Sequence, residues 1–321
     1  GSGRICPLAR LVVMSAVTSR LAGRGLLHPP SWLCDNISYE TIMGSEAYGV
    51  SSGGSDRDIY GFAIPPQDVV FPHLRGEVIG FGRQHKRFEQ FQQHHVQDAD
   101  SGVQYDIQIF SIVKYFHLLM ENNPNIIDSL FTPMECVVHS TAVGNMVREN
   151  RRIFLHKGAW HKFKGYAFSQ VHKMSNKSPI GKRLATIQAF GFDVKHAYHT
   201  VRLLDEIEQI LTVGDIDLRR NAEQLKAIRR GEMTEDAIRC WFTEKERQLE
   251  ALYASSTLPY GPDEEKIKQL LLDCLEHHYG SLEAACIVPA NAADLALEEI
   301  AAIVHRYEQR SATQPIAEIP D

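Results

Sequence analysis

A chain of 321 residues, 44% hydrophobic and 23% charged, has the composition of an ordinary folded protein and the length of one large or two modest domains. Its formal net charge of −6 excludes a global basic footprint for nucleic acid, so any such contact has to come from a local patch. The six cysteines are scattered with no CxxC pair, which argues against a zinc ribbon or a secreted disulfide framework and makes a reducing cytoplasm the expected setting.

Taken in chain order, "ARLVVMSAVTSRLAGRGLL" reads as an N-terminal helix rather than a signal peptide, because no apolar core of adequate length precedes a cleavage site. No apolar run reaches the length that spans a bilayer. "DNISYETIMGS" reads as a strand entering a tight turn, and "RDIYGFAIPP" as a second strand stopped by Pro65–Pro66. "HKRFEQFQQHHVQDADSG" is a polar excursion, hairpin or loop, and residues 84–102 receive no role. "VQYDIQIFSI" alternates apolar Val103, Tyr105, Ile107 and Ile109 with a polar face that carries Asp106. After Ile109 the period changes to helical in "SIVKYFHLLMEN", which ends at Asn122–Asn123–Pro124. Beyond about residue 135 the chain reads as mostly helical through "GAWHKFKGYAFSQVHKM", "DVKHAYHTVRLLDEIEQIL", "DAIRCWFTEKERQLEALY", "DEEKIKQLLLDCLEHHYG" and "ADLALEEIAAIVHRYEQR". The expected organisation is an N-terminal extension over 1–36, a catalytic domain over 37–135, a helical domain over 136–310 and a flexible tail over 311–321.

The chemistry concentrates in "MGSEAYGVSSGGSDRDIYGF". Residues two apart on a strand share a face, so Asp56 and Asp58 project together, about 7 Å apart. Asp106, on the polar face of another strand, is the natural third carboxylate. Carboxylates converging from neighbouring strands can hold two divalent cations about 4 Å apart, and all-oxygen ligands suit Mg²⁺ or Mn²⁺. Gly44 lets a backbone approach a triphosphate, Ser45 offers a hydroxyl, and a helix starting near Glu46 would add its dipole. The competing reading of the Asp-x-Asp pair alone is a solvated surface turn.

The combination of Gly-Ser, a short spacer, Asp-x-Asp and a distal third Asp resembles the DNA polymerase β-type nucleotidyltransferase superfamily. Within it, "GSEAYGVSSGGSDRDIYGF", "YDIQIFSIVKYFHLLMENNPNIIDSLF", "FKGYAFSQVHK" and "GFDVKHAYHTVRLL" resemble the RNA-repair-associated (RlaP-like) nucleotidyltransferases, over about Ile37 to Ile238. The resemblance implies an α+β fold, a palm-like mixed sheet with flanking helices plus a helical C-terminal domain. It also implies metal-dependent transfer of a nucleoside monophosphate from an NTP such as ATP, with release of pyrophosphate. Asp56, Asp58 and Asp106 would be the catalytic metal ligands. Two departures are Asp128, where a glutamate is expected, and the inserted-looking "QHKRFEQFQQHHVQDADSG".

Two cationic stretches supply candidate binding residues. On the helix "DVKHAYHTVRLLDEI", with Asp193 as N-cap, Lys195, His199 and Arg202 fall at i, i+4 and i+7 with His196 beside them. This is a triphosphate clamp, which the resemblance also implies, or a solvated face. In "HKFKGYAFSQVHKM", Lys162, Lys164 and Lys173 interleave with aromatics as a nucleic-acid contact would, or are solvated around a packed core. His94–His95 and His277–His278 are adjacent pairs that make poor chelates. The expected partners are an NTP and an acceptor. That acceptor is an RNA end, with protein nucleotidylation (AMPylation) or a retired nucleotide-binding module as alternatives.

Overall fold

The computed structural model describes residues 16–51, 56–82, 84, 87–175 and 182–282. The elements run α1 (Val17–Gly23), β1 (Ile37–Ile42), β2 (Arg57–Ala63), α2 (Gln67–Val70), β3 (Gln90–Asp98), β4 (Val103–Ser111), α3 (Ile112–Met120), α4 (Pro124–Phe131) and β5 (Val137–Ser140). After them come α5 (Ala142–Glu149), α6 (Ala159–Met174), α7 (Lys182–Phe190), α8 (Val194–Val213), α9 (Ala222–Arg229), α10 (Glu235–Ser255) and α11 (Glu264–Tyr279). The expected helix over 293–310 and the tail over 311–321 lie outside the described residues.

This is an α+β fold around one mixed five-stranded sheet, in the order β3-β4-β2-β1-β5. β2 and β4 run parallel, and the other neighbours are antiparallel. The polar excursion resolves into a hairpin: β3 returns antiparallel on β4 and forms the sheet edge. Glutamines and histidines suit that place, because an edge strand faces water and needs polar side chains to discourage further pairing.

The sheet buries both faces. On one, Tyr39, Phe62 and Tyr115 stack in sequence, with ring centroids 6.0 and 4.9 Å apart, and carry α3 and α4. On the other, Glu40 lies fully buried and accepts from the Val17 and Thr18 amides at 2.6 and 3.2 Å. A strand carboxylate therefore satisfies the orphan donors at the start of α1, so the segment before β1 is joined to the sheet. Gly61 is obligatory in β2, because a Cβ there would meet the Tyr39 carbonyl oxygen at 2.0 Å, beside the register shift in β1.

α8 is the hub of the helical half and packs on α6, α9 and α10. Its start is fixed by the predicted cap, Asp193, which accepts from Lys195 N at 2.9 Å, and its end by Gly214 in the left-handed region, φ 63°. α11 returns to lie on α3 and α5.

Candidate functional site

The register of the parallel pair sets Asp58 of β2 directly opposite Asp106 of β4. In-register partners on parallel strands share a face, about 4.8 Å apart. The alternation that singled out Asp106 thus delivers it beside Asp58. Asp56 lies just outside β2 and is exposed. Burial, and then the charge of Asp106, push the Asp58 carboxyl above the ordinary carboxylate range; Lys195 opposes the shift and Asp56 adds to it. Lys195, in the first turn of α8, is thus the cation whose charge acts most on Asp58.

Gly44 is required here twice over. Its φ of 69° is one that L side chains avoid, and a Cβ would stand 2.5 Å from Asp58 Oδ2. The close approach predicted for a triphosphate is taken up by the protein's own carboxylate. Gly44 to Gly49 form a turn rather than the expected helix: Tyr48 N donates to Gly44 O at 3.2 Å and Val50 N to Ser45 O at 2.8 Å. Met43 N donates to Asp58 O at 2.7 Å and ties this turn to β2. Residues 52–55, in the spacer that leads to Asp56, lie outside the described residues.

Asp106 is held from the other side by a device the sequence reading set aside. β3 carries a β-bulge at His94–His95, two residues opposite the single Asp106, with His95 at φ 57°. His95 N donates to Asp106 Oδ1 at 2.7 Å, and the two imidazoles lie 3.7 and 3.9 Å from that oxygen. Adjacent histidines diverge on a regular strand; at this bulge both approach one carboxylate. An alternating pattern interrupted by one extra residue in "FQQHHVQD" is the signal that would have found it.

The cationic face of α8 opens on a cavity of about 260 Å³ lined by Asn125, Tyr166, Gln170, Lys195, His196, His199, Arg202 and Leu203. Lys195 is exposed, and His196 Nδ1 lies 2.6 Å from Gln170 Oε1. Tyr60 stands two residues beyond Asp58, on the same face of β2. Its hydroxyl is pushed up to about 12 by burial, then by Asp58 and Asp106, with Tyr166 next.

Arg202 departs from the expected clamp. It is 4% exposed and bound into a buried knot. Its guanidinium is paired with Asp128, lies 3.0 Å from Glu206 and 2.8 Å from the Tyr48 hydroxyl, and stacks 4.3 Å over the Tyr48 ring. The i, i+4, i+7 stripe slants from the mouth of the cavity into the core, so its last cation is spent on structure. Asp128, where the family resemblance leads one to expect a glutamate, is the partner that receives it, and it also accepts from Tyr48 at 2.9 Å.

The lysine-rich helix separates likewise. Lys164 bridges α6 to α10 through Glu246 and Glu250 at 2.7 and 2.9 Å, and Lys162 pairs with Glu121 at 3.1 Å. Lys173 is exposed and lines a second cavity with His172, Ser175 and Arg239.

Among the described residues, no group of three or more His, Cys, Asp or Glu side chains closes on one point as a ready metal site. The donor chemistry nevertheless fits a hard divalent cation: two adjacent carboxylates, one of them desolvated beside its like-charged neighbour, with a third carboxylate at the strand entrance.

A family model described as "RNA repair pathway DNA polymerase beta family" (RlaP) matches residues 34–273. No curated protein matches. A nucleotidyltransferase-like protein from Exiguobacterium sibiricum 255-15 is among the similar solved structures. It is 8% identical, with 81% of this chain and 79% of that chain covered at a TM-score of 0.27, too remote a likeness to bear on the site.

Proposed function

Because the chain belongs to the RNA repair pathway DNA polymerase β family, we propose that it is a nucleotidyltransferase that moves a nucleoside monophosphate from an NTP to a hydroxyl, an RNA end being the acceptor. The in-register Asp58–Asp106 pair, with the charge of Lys195 acting on Asp58, carries this reading. Asp56, Asp58 and Asp106 would hold a divalent metal, which when bound would supply charge neutralisation at the triphosphate and acidification of the acceptor hydroxyl.

The chain's own residues do the rest. Lys195 receives triphosphate oxygens, with the Ser45 hydroxyl on the adjoining turn. His196 and His199 line the cavity that accepts the remainder of the nucleotide, with the Tyr166 ring as a stacking surface for the base. The acceptor oxygen attacks the α-phosphorus, the bond to the β-phosphate oxygen breaks, and pyrophosphate leaves. In this reading Asp106 takes the acceptor's proton. Arg202 lines the same cavity, but its guanidinium is committed to Asp128, Glu206 and Tyr48.

A protein side chain is the second reading. One observation favours it: two of the three lysines expected to touch nucleic acid are neutralised by glutamates on their own chain. Pyrophosphate release from each NTP with Mg²⁺, with and without bulk RNA, tests both. Release that requires Asp58 and rises with RNA supports the first reading. Release indifferent to RNA, with label on protein, supports the second. Tight NTP binding with no turnover at all would leave a retired binding module.

A further inference from the structure

The Gly44–Val50 turn is short, carries two glycines at positive φ and holds itself together with only a few internal hydrogen bonds. Its position is instead dictated by arginines from the helical half. Arg219, between α8 and α9, donates Nε to Ala47 O at 3.2 Å and a terminal nitrogen to Glu46 O at 3.1 Å, while its other terminal nitrogen pairs with Glu135. Arg229, on the last turn of α9, donates to Val50 O. Arg202 of α8 donates to the Tyr48 hydroxyl at 2.8 Å. Three arginines thus seize four consecutive-neighbourhood points of one turn, Glu46, Ala47, Tyr48 and Val50. Gly49 completes the fit. At φ 67°, it lets the aliphatic stem of Arg219 lie where a Cβ would stand 3.3 Å from Arg219 Cδ. A guanidinium suits this work because its planar fork reaches two carbonyls at once and never loses its charge.

We propose that Arg219 and Arg229 are positioning residues that hold the Gly44–Val50 turn in its nucleotide-receiving shape, so that the helical half sets NTP affinity through backbone contacts. The proposal rests on the transferase reading for its nucleotide part and on the hydrogen bonds alone for its mechanical part. The turn is tied to Asp58 through Met43 N and the contact at Gly44, so a loosened turn displaces both the Ser45 hydroxyl and the carboxylate.

The test compares full-length wild type with Arg219→Met, Arg229→Met, Arg219→Lys, and Arg247→Met as a control on the exposed face of α10. Amide hydrogen exchange reads the turn directly, and pyrophosphate release with Mg²⁺ reads KM for NTP apart from kcat. For both methionine variants, exchange at Tyr48, Gly49 and Val50 should rise about tenfold or more while the strands keep their protection. KM for NTP should rise about tenfold, more than kcat falls. Arg219→Lys, with one ammonium for two carbonyls, should fall between, and Arg247→Met should match wild type. Wild-type exchange and wild-type KM in both methionine variants overturn the proposal while the transferase reading stands. A wild type that binds no NTP overturns that reading and the nucleotide half of the proposal, and the exchange data then judge the clamp by themselves. If Arg219→Met does not fold, Arg229→Met, which breaks one carbonyl contact with the turn and one cation–π contact with Tyr198, decides in its place.

Discussion

Replacing Asp58 with asparagine changes two properties in opposite directions. Pyrophosphate release should fall by about 10²–10³-fold or more, as when a preorganised electrostatic partner is removed from a site. Stability without metal should rise. The Asp58 carboxyl titrates higher in the folded chain than in the unfolded one, through burial and the neighbouring Asp106. A raised carboxylate costs stability above its folded value, and the cost vanishes below the unfolded value. The variant's gain in melting temperature in EDTA should therefore be present at pH 7.5 and shrink as pH falls into the ordinary carboxylate range. Equal melting curves at all pH values would deny that Asp58 is strained by its surroundings. Asp58, Asp106 and Gly44 were legible because period-two alternation and a Gly-Ser turn have direct geometric meaning. Arg202 was not: a helical wheel places cations on a stripe but does not show where along it the core begins.

At the scale of elements, two buried carboxylate contacts join segments distant in sequence. Glu40 of β1 receives the first amides of α1, so Glu40→Ala strands two donors in the interior and should cost about 2–4 kcal/mol in urea unfolding, with Glu40→Gln losing less. Arg202 holds Asp128 and Glu206, so Arg202→Met leaves two carboxylates buried without their cation and should cost about 3–5 kcal/mol. A loss below about 1 kcal/mol would mean that the knot is open to water. The strands β1, β2 and β4 and the helices α6, α8, α10 and α11 follow their patterns in the sequence closely, because their apolar periods are uninterrupted. β3 did not announce itself. Its side chains are mostly polar at a sheet edge, and the bulge at His94–His95 breaks the alternation that would have marked it. Where a helix at Glu46 was considered, the chain forms a turn whose Glu46 and Ala47 carbonyls accept from Arg219, more than 170 residues away, a contact no local pattern records.

For the molecule as a whole, Mg²⁺ binding at the Asp58–Asp106 pair should stabilise the folded state by mass action, by about 2.7 kcal/mol at one hundred times its dissociation constant. The shift should appear in wild type and be lost in Asp106→Asn, a measurement by thermal melting that needs no turnover. Among the described residues, no helix is long and apolar enough to cross a membrane. The arrangement of contacts also orders events during synthesis. Tyr48 meets Arg202 across 154 positions, and Val50 meets Arg229 across 179. At about 5–20 residues per second, the ribosome makes Val50 roughly 10–35 s before the arginine that holds it. All the strands of the sheet are translated by then, yet the turn beside the carboxylates stays unanchored until α9 has left the exit tunnel. A nascent chain would thus present a finished sheet without a finished triphosphate site, and chemistry would wait for the last clasp to be translated.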